Sequence, residues 1–220
     1  MMKHRGDNLV LGILGAGREG TAVARLALKA GYSVLIANSR GPESLALMVE
    51  ILVPGAVAAS AKEVAARSDI VHLALPLSHY RGIPSDLLAG KIVIDAMNYW
   101  AAGEGVLAEF EASPPRSSEK IQAFLSASRL VKTLNHISYH ELEEDALPVG
   151  TAGRRALAIA GDDAEAKKIV GKLVSDLGFD SLDAGPLSEG WRMGPGSPVF
   201  EGRFTLGELR RALALAIPPN

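Results

Sequence analysis

The chain has no cysteine among its 220 residues. That removes a thiolate nucleophile, a cysteine-based zinc centre and any disulfide framework, and it agrees with a reducing compartment, so the cytoplasm is the expected location. Long apolar runs are also missing. Nothing approaches the ~20 residues needed to span a bilayer, and the apolar run at residues 9–14 is too short for a signal-peptide core. Charge of either sign is not in excess: 23 Lys and Arg stand against 25 Asp and Glu, a net charge of -2. That balance gives no electrostatic reason to expect nucleic acid or an anionic membrane as a partner. Internal repeats and low-complexity tracts are absent. So is any evident Ser-His-Asp set, Tyr-x-x-x-Lys pair or His-Glu-x-x-His helix. His136 and His140 lie four apart like a metal pair, but no motif supplies a third ligand, and no metal is expected.

What is present is an alternation of short apolar runs with amphipathic segments, the pattern of βαβ units around a parallel sheet. Strands are expected at residues 9–14, 33–37, 56–58, 70–75, 91–96, 130–134, 155–160 and 181–184. The first has almost no polar residue, as a strand covered on both faces should. Helical stripes follow at Val23, Leu26, Ala27 and Ala30, then at Leu45, Met48, Val49 and Leu52. Shorter helices are expected at 62–67 and 117–124. Asp162-Asp163 caps a clear helix with Ala166, Ile169, Val170, Leu173, Val174 and Leu177 on one face. Residues 98–115 lose all periodicity and read as a long loop. The acidic, then Pro- and Gly-punctuated stretch 139–153 reads as an active-site or linker loop. The expected fold is α/β: a doubly wound, mostly parallel Rossmann sheet with helices on both faces, extended by one further strand-helix-strand unit. Residues 8–185 would form this nucleotide-binding domain, and 186–220 a Gly/Pro-rich arm with a C-terminal helix.

The chemistry begins at Gly15-Ala16-Gly17-Arg18-Glu19-Gly20, a G-x-G-x-x-G placed directly after the first strand and opening the first helix. Gly15 allows the tight turn, Gly17 lets the backbone approach a pyrophosphate, and Gly20 lets helix and sheet pack closely. Free amides at that helix end then bind phosphate. The second strand ends in Asn38-Ser39-Arg40, where an NAD enzyme usually carries an acidic residue for the ribose hydroxyls. An amide, a hydroxyl and a guanidinium suit a 2′-phosphate instead, so the expected cofactor is NADP(H). Leu75 and Pro76 end the fourth strand, bordering the crevice where the nicotinamide half lies, and His79 either reaches it or is a loop histidine without a role. Asp95 and Asn98 end the fifth strand at the same edge; both also suit simple turns.

Taken in order, the glycine turn, Asn38-Ser39-Arg40, "LALP", "KIVIDAMNYW", "VKTLNHISYHELEEDALP", "ALAIAGDDAEAK" and "LDAGPLSEG" resemble the NADPH:deazaflavin (coenzyme F-420) oxidoreductases and their NADP oxidoreductase relatives. The reductase domain of the mammalian metalloreductases is more distantly similar. The resemblance spans residues 9–190. It implies hydride transfer between a nicotinamide and a flavin or deazaflavin ring bound opposite it, with that ring as co-substrate. It also implies that the segment from Asn135 to Ser138 lies beside the transfer site.

Such transfer asks little acid–base chemistry of the protein. Asn135, His136 and Ser138 are the candidates on the acceptor side, with Ile137, Tyr139 and Trp191 nearby and His136 as a proton source. The arm at 190–202 reads either as a lid over the site or as a strap between the copies of a homodimer. Two other functions stay open: an NADPH-dependent reductase of a small imine or keto substrate, and a non-catalytic NADP(H) sensor.

Overall fold

A computed structural model describes residues 9–101, 105–111 and 116–217. The expectations for residues 1–8, for parts of the 98–115 loop and for the last three residues lie outside them.

Eight strands form one sheet in the order β3-β2-β1-β4-β5-β6-β7-β8. The chain enters through β1 (Val10–Leu14) and α1 (Arg18–Lys29), then β2 (Ser33–Ala37), α2 (Ala46–Leu52) and the two-residue β3 (Val57–Ala58). It reverses direction across the sheet with α3 (Ala61–Arg67) and β4 (Ile70–Leu73), then β5 (Ile92–Asp95), α4 (Ser117–Phe124) and β6 (Arg129–Lys132). The step from β1 outward to β2 on one side and β4 on the other makes the topological switch point of a doubly wound sheet. β1 to β6 pair in parallel, and β7 (Ala156–Gly161) then joins β6 antiparallel. After α5 (Tyr139–Glu144) and that strand come α6 (Ala164–Asp176), β8 (Asp180–Gly185), parallel to β7, and finally α7 (Leu206–Leu215). The expected α/β class, with its mostly parallel sheet and strand-helix-strand extension, is borne out.

Period-two alternation divides the core between the two faces. Leu11 and Ile13 of β1 face one apolar layer with Val23, Ala24 and Ala27 of α1 and Val170 and Val174 of α6. Leu14, Leu73 and Val93 face the other with Val64 of α3 and Ile121 of α4. A third layer joins Ala156, Ala158 and Ala160 of β7 to Leu209, Ala212 and Leu213 of α7, and to Met193 and Val199 of the arm. Residues 186–217 therefore pack on the same sheet as everything before them.

Four local expectations are corrected. β4 ends at Leu73, two residues early. The sixth strand is Arg129–Lys132, not 130–134, because Leu134 is buried with φ of 63° and turns the chain out of the sheet. The 98–115 segment is not featureless, since a 3-10 turn at Ala108–Phe110 buries Phe110 against Tyr80 and Tyr99. The 139–153 stretch opens with α5, which the sequence read as loop. It carries a Ser138–Glu141 capping box but only one buried apolar side chain, Leu142. Ion pairing holds it instead: Glu143 accepts from the Nε and one terminal nitrogen of Arg25 on α1, one bond to each carboxylate oxygen.

Candidate functional site

The glycine turn sits at the switch point and touches the end of the fourth strand. A Cβ on Gly15, whose φ is 120°, would lie 1.9 Å from the Ala74 carbonyl oxygen, and one on Gly20 would lie 2.1 Å from that of Gly15. Both positions are closed to any other residue. Gly17 differs: nothing stands within 4 Å of a Cβ there. Its missing side chain leaves an open cradle at the N-terminus of α1, where unpaired amides and the helix dipole favour a pyrophosphate.

Glu19 is the one acidic residue in that first turn, and it points away from the cradle into the sheet. Its Oε1 lies 2.7 Å from Nε2 of the fully buried His72 on β4. Arg18 donates to the Tyr139 hydroxyl at 2.6 Å and lies over its ring. This contact ties the glycine turn to α5.

At the end of β2, the Asn38 Oδ1 accepts from the Arg40 amide at 2.9 Å and its Nδ2 donates to Ser44. Asn38 thus shapes the turn, while Ser39 and Arg40 are exposed beside the crevice. Among the described residues, nothing pairs with the Arg40 guanidinium. Leu75 and Pro76 follow β4 at the same edge. Pro76 precedes a 3-10 turn whose His79 amide donates to the Pro76 carbonyl, and the His79 ring is exposed.

The acceptor-side candidates fall beyond β5 and β6. Asn98 and Asn135 clasp each other: Nδ2 of Asn135 donates to Oδ1 of Asn98 at 3.0 Å, and Nδ2 of Asn98 donates to the Asn135 carbonyl at 2.6 Å. Asn135 donates further to the Met193 carbonyl of the arm at 2.8 Å. The Glu201 amide, also from the arm, donates to the His136 carbonyl.

Two roles are corrected. His136 cannot supply a proton. It is buried, its Nε2 accepts from the Ala158 amide at 3.0 Å, and burial, with help from Arg155 and Lys132, pushes its pKa down to about 3. It is a neutral brace from the segment after β6 to β7. Ser138 caps α5, with its hydroxyl accepting from the Glu141 amide at 3.4 Å. Burial opposes the charge of Glu141, yet Arg203 and Arg155 outweigh it and hold its pKa at about 2.

A cleft opens here, lined by Asn98, Tyr99, Lys132, Trp191, Pro195 and Ser197 among others. Sequence reading missed Lys132. It is buried at the end of β6, where it donates to Asp95 Oδ2 at 3.3 Å and to the Met97 carbonyl at 2.9 Å. Asp95 also accepts from Ser118 at 2.6 Å and from the Met97 amide at 3.0 Å. A lysine inside the strand expected at 130–134 was the available signal, but its partner is 37 residues away and only the β5–β6 register brings them together. Among the described residues no group of three or more metal-ligating side chains occurs, and no helix is long and apolar enough to cross a membrane.

Residues 10–99, from β1 to just past β5, match the family described as NADP oxidoreductase, coenzyme F420-dependent. The chain is 30% identical over 182 residues to the metalloreductase STEAP3 of Rattus norvegicus, a match covering 81% of this chain and 34% of that protein. A second curated relative is covered over 55% of its length, so the chain spans about a third to a half of these proteins. Among solved structures, a hypothetical protein of Sinorhizobium meliloti superposes with a TM-score of 0.76 at 28% identity, covering 89% of this chain and 95% of that one. A protein of Arthrobacter sp. FB24 named for F420-dependent NADP reduction superposes with a TM-score of 0.70 at 25% identity, covering 82% and 86%. The family match over residues 10–99 agrees with the resemblance that the serial motifs carry.

Proposed function

We propose that the protein is an NADP(H)-dependent oxidoreductase that passes hydride between the nicotinamide and a flavin or deazaflavin acceptor. The observation carrying this is the placement along one sheet edge of an open glycine cradle, a free Arg40, and a separate cleft beyond β5 and β6. Gly17 and the amides of α1 would hold the pyrophosphate, and Ser39 with Arg40 the 2′-phosphate. When bound, the cofactor supplies the hydride, which needs no acid or base from the chain. Leu75 and Pro76 set the path past the ribose-nicotinamide half, and the Asn98–Asn135 clasp fixes the floor between the two halves of the crevice. The arm, fastened through Met193 and Glu201, walls off water on the far side. An acceptor ring enters the cleft against Tyr99 and Trp191. The names of the Arthrobacter protein and of the family support a deazaflavin acceptor, and that of STEAP3 supports redox chemistry on the same kind of fold.

The test is NADPH oxidation, followed at the nicotinamide absorbance band, with FMN, FAD, coenzyme F-420 and ferric chelates offered in turn. Turnover with a flavin-type ring is expected. Tight NADPH binding with no active acceptor would instead identify a sensor.

A further inference from the structure

The buried ion pair of Lys132 and Asp95 is not used by the reading above, although Lys132 lines the cleft. Its side chain is 3% exposed and that of Asp95 0%. Burying two charges is costly, and an apolar pair of similar volume would commonly brace two strands as well. The arrangement is also lopsided. Asp95 is held by three donors: Ser118, the Met97 amide and Lys132. An ammonium has three protons, and Lys132 spends only two of them, on Asp95 and the Met97 carbonyl. Among the described residues there is no third acceptor. The stem is also closely packed: a Cβ on Gly190 of the arm would lie 2.9 Å from its Cδ, so a side chain there would have to displace the stem. The ammonium is therefore fixed in direction, partly relieved of its counter-ion by Ser118 and the Met97 amide, and left with one proton to donate at the cleft wall.

We infer that Lys132 is the electrostatic anchor for the acceptor, donating to a carbonyl-bearing ring edge that gains negative charge during reduction. This rests on the proposed reading of the cleft as the acceptor site. In the balanced step, NADPH gives up one hydride, two electrons and a proton together, and becomes NADP+. The C–H bond at the nicotinamide breaks, and an N–H bond forms on a flavin ring or a C–H bond on a deazaflavin ring. The extra electron pair spreads over the pyrimidine edge until water protonates it. A fixed donor at that edge stabilises the charge as it develops, and removal of such a donor costs roughly 10²-fold in rate. Because the charge is absent from the oxidised ring, Lys132 should act on kcat and on binding of the reduced form, and little on binding of the oxidised form.

The test compares the wild-type chain with Asp95→Asn/Lys132→Met, which removes both charges together and leaves no lone buried ion. The probes are FMN and riboflavin. Expected for the double variant are an unchanged NADPH affinity, a kcat lower by roughly 10²-fold for both flavins, and an oxidised-FMN affinity changed less than about threefold. Anaerobic binding of reduced FMN should weaken at least about tenfold, the same preferential-stabilisation argument read at equilibrium. Wild-type turnover in the double variant overturns the inference, as does equal weakening of both redox states. A loss with FMN but not riboflavin overturns it too, by showing that Lys132 serves the phosphate. Should the double variant not fold, wild-type protein alone decides: reduced FMN must bind more tightly than oxidised FMN. Failure of the wild type to reduce any flavin would overturn the reading of the cleft itself, an outcome distinct from the others.

Discussion

As pH falls below about 6.5, His136 should draw down the stability of this protein before the carboxylates of lowered pKa contribute. The imidazole is buried beside β7, accepting from the Ala158 amide, and its pKa is depressed from 6.5 to about 3. A depressed folded-state pKa means that the unfolded chain binds the proton first as pH falls. The stability this group confers is therefore fully present above about pH 6.5 and is lost progressively as pH drops toward 3. Within that window one proton is taken up on unfolding, so stability falls by about 1.4 kcal/mol per pH unit. Between pH 7 and pH 5 the loss is roughly 2 kcal/mol, a large part of the few kcal/mol by which such domains are stable. Glu141 acts in the same direction but lower, between 4.5 and about 2. The assay is urea unfolding at half-unit steps from pH 7.5 to 5 for the wild type and His136→Gln. The glutamine carbonyl can still accept from Ala158, and it does not titrate. Whatever constant offset the substitution brings, the two stability curves should converge by roughly 2 kcal/mol between pH 7 and 5. Parallel curves would refute the neutral-brace assignment.

The glycine turn gives a paired test. Gly20→Ala must move backbone, since its Cβ would sit 2.1 Å from the Gly15 oxygen, and should lower the melting temperature and abolish NADPH binding together. Gly17→Ala meets nothing within 4 Å and should keep the wild-type melting temperature to within the shift of about 1 kcal/mol, while NADPH affinity falls at least tenfold. Ser138→Ala removes the cap of α5 and should cost about 1 kcal/mol in thermal unfolding with kcat essentially kept; a large loss of kcat at unchanged stability would return Ser138 to the reacting centre.

The sheet and its nucleotide end were legible because they rest on local rules. The apolar run, the glycine turn and the helical stripe of Val23, Leu26 and Ala27 lie within twenty residues of each other, and each is buried as its period requires. α5 was not legible, because "YHELEE" has no apolar stripe. Its one buried residue is Leu142, and it is held by Arg25 on a helix over a hundred residues earlier. The end of β6 misled for a related reason. Leu134 is apolar and buried like a strand residue, but its left-handed backbone conformation is invisible in its identity. His136 looked like chemistry and is structure, whereas Lys132 looked like a strand residue and lines the cleft. In both cases the deciding partner, Ala158 or Asp95, comes from a neighbouring strand. Contacts made across strands of such separation are set by register, which no short motif encodes.

Cofactor choice tests the central claim most directly. Ser39 and Arg40 stand exposed beside the glycine turn, with the guanidinium unpaired among the described residues and no carboxylate at the end of β2 to receive ribose hydroxyls. Calorimetric titration of the full chain with NADPH and with NADH, repeated on Arg40→Ala, should show NADPH bound at least tenfold more tightly by the wild type, as expected for a charge-assisted phosphate contact of about 1.5–3 kcal/mol. In the variant that preference should collapse, with NADH affinity nearly unchanged. Equal affinity of the wild type for both cofactors, or an equal loss of both in the variant, would contradict the account.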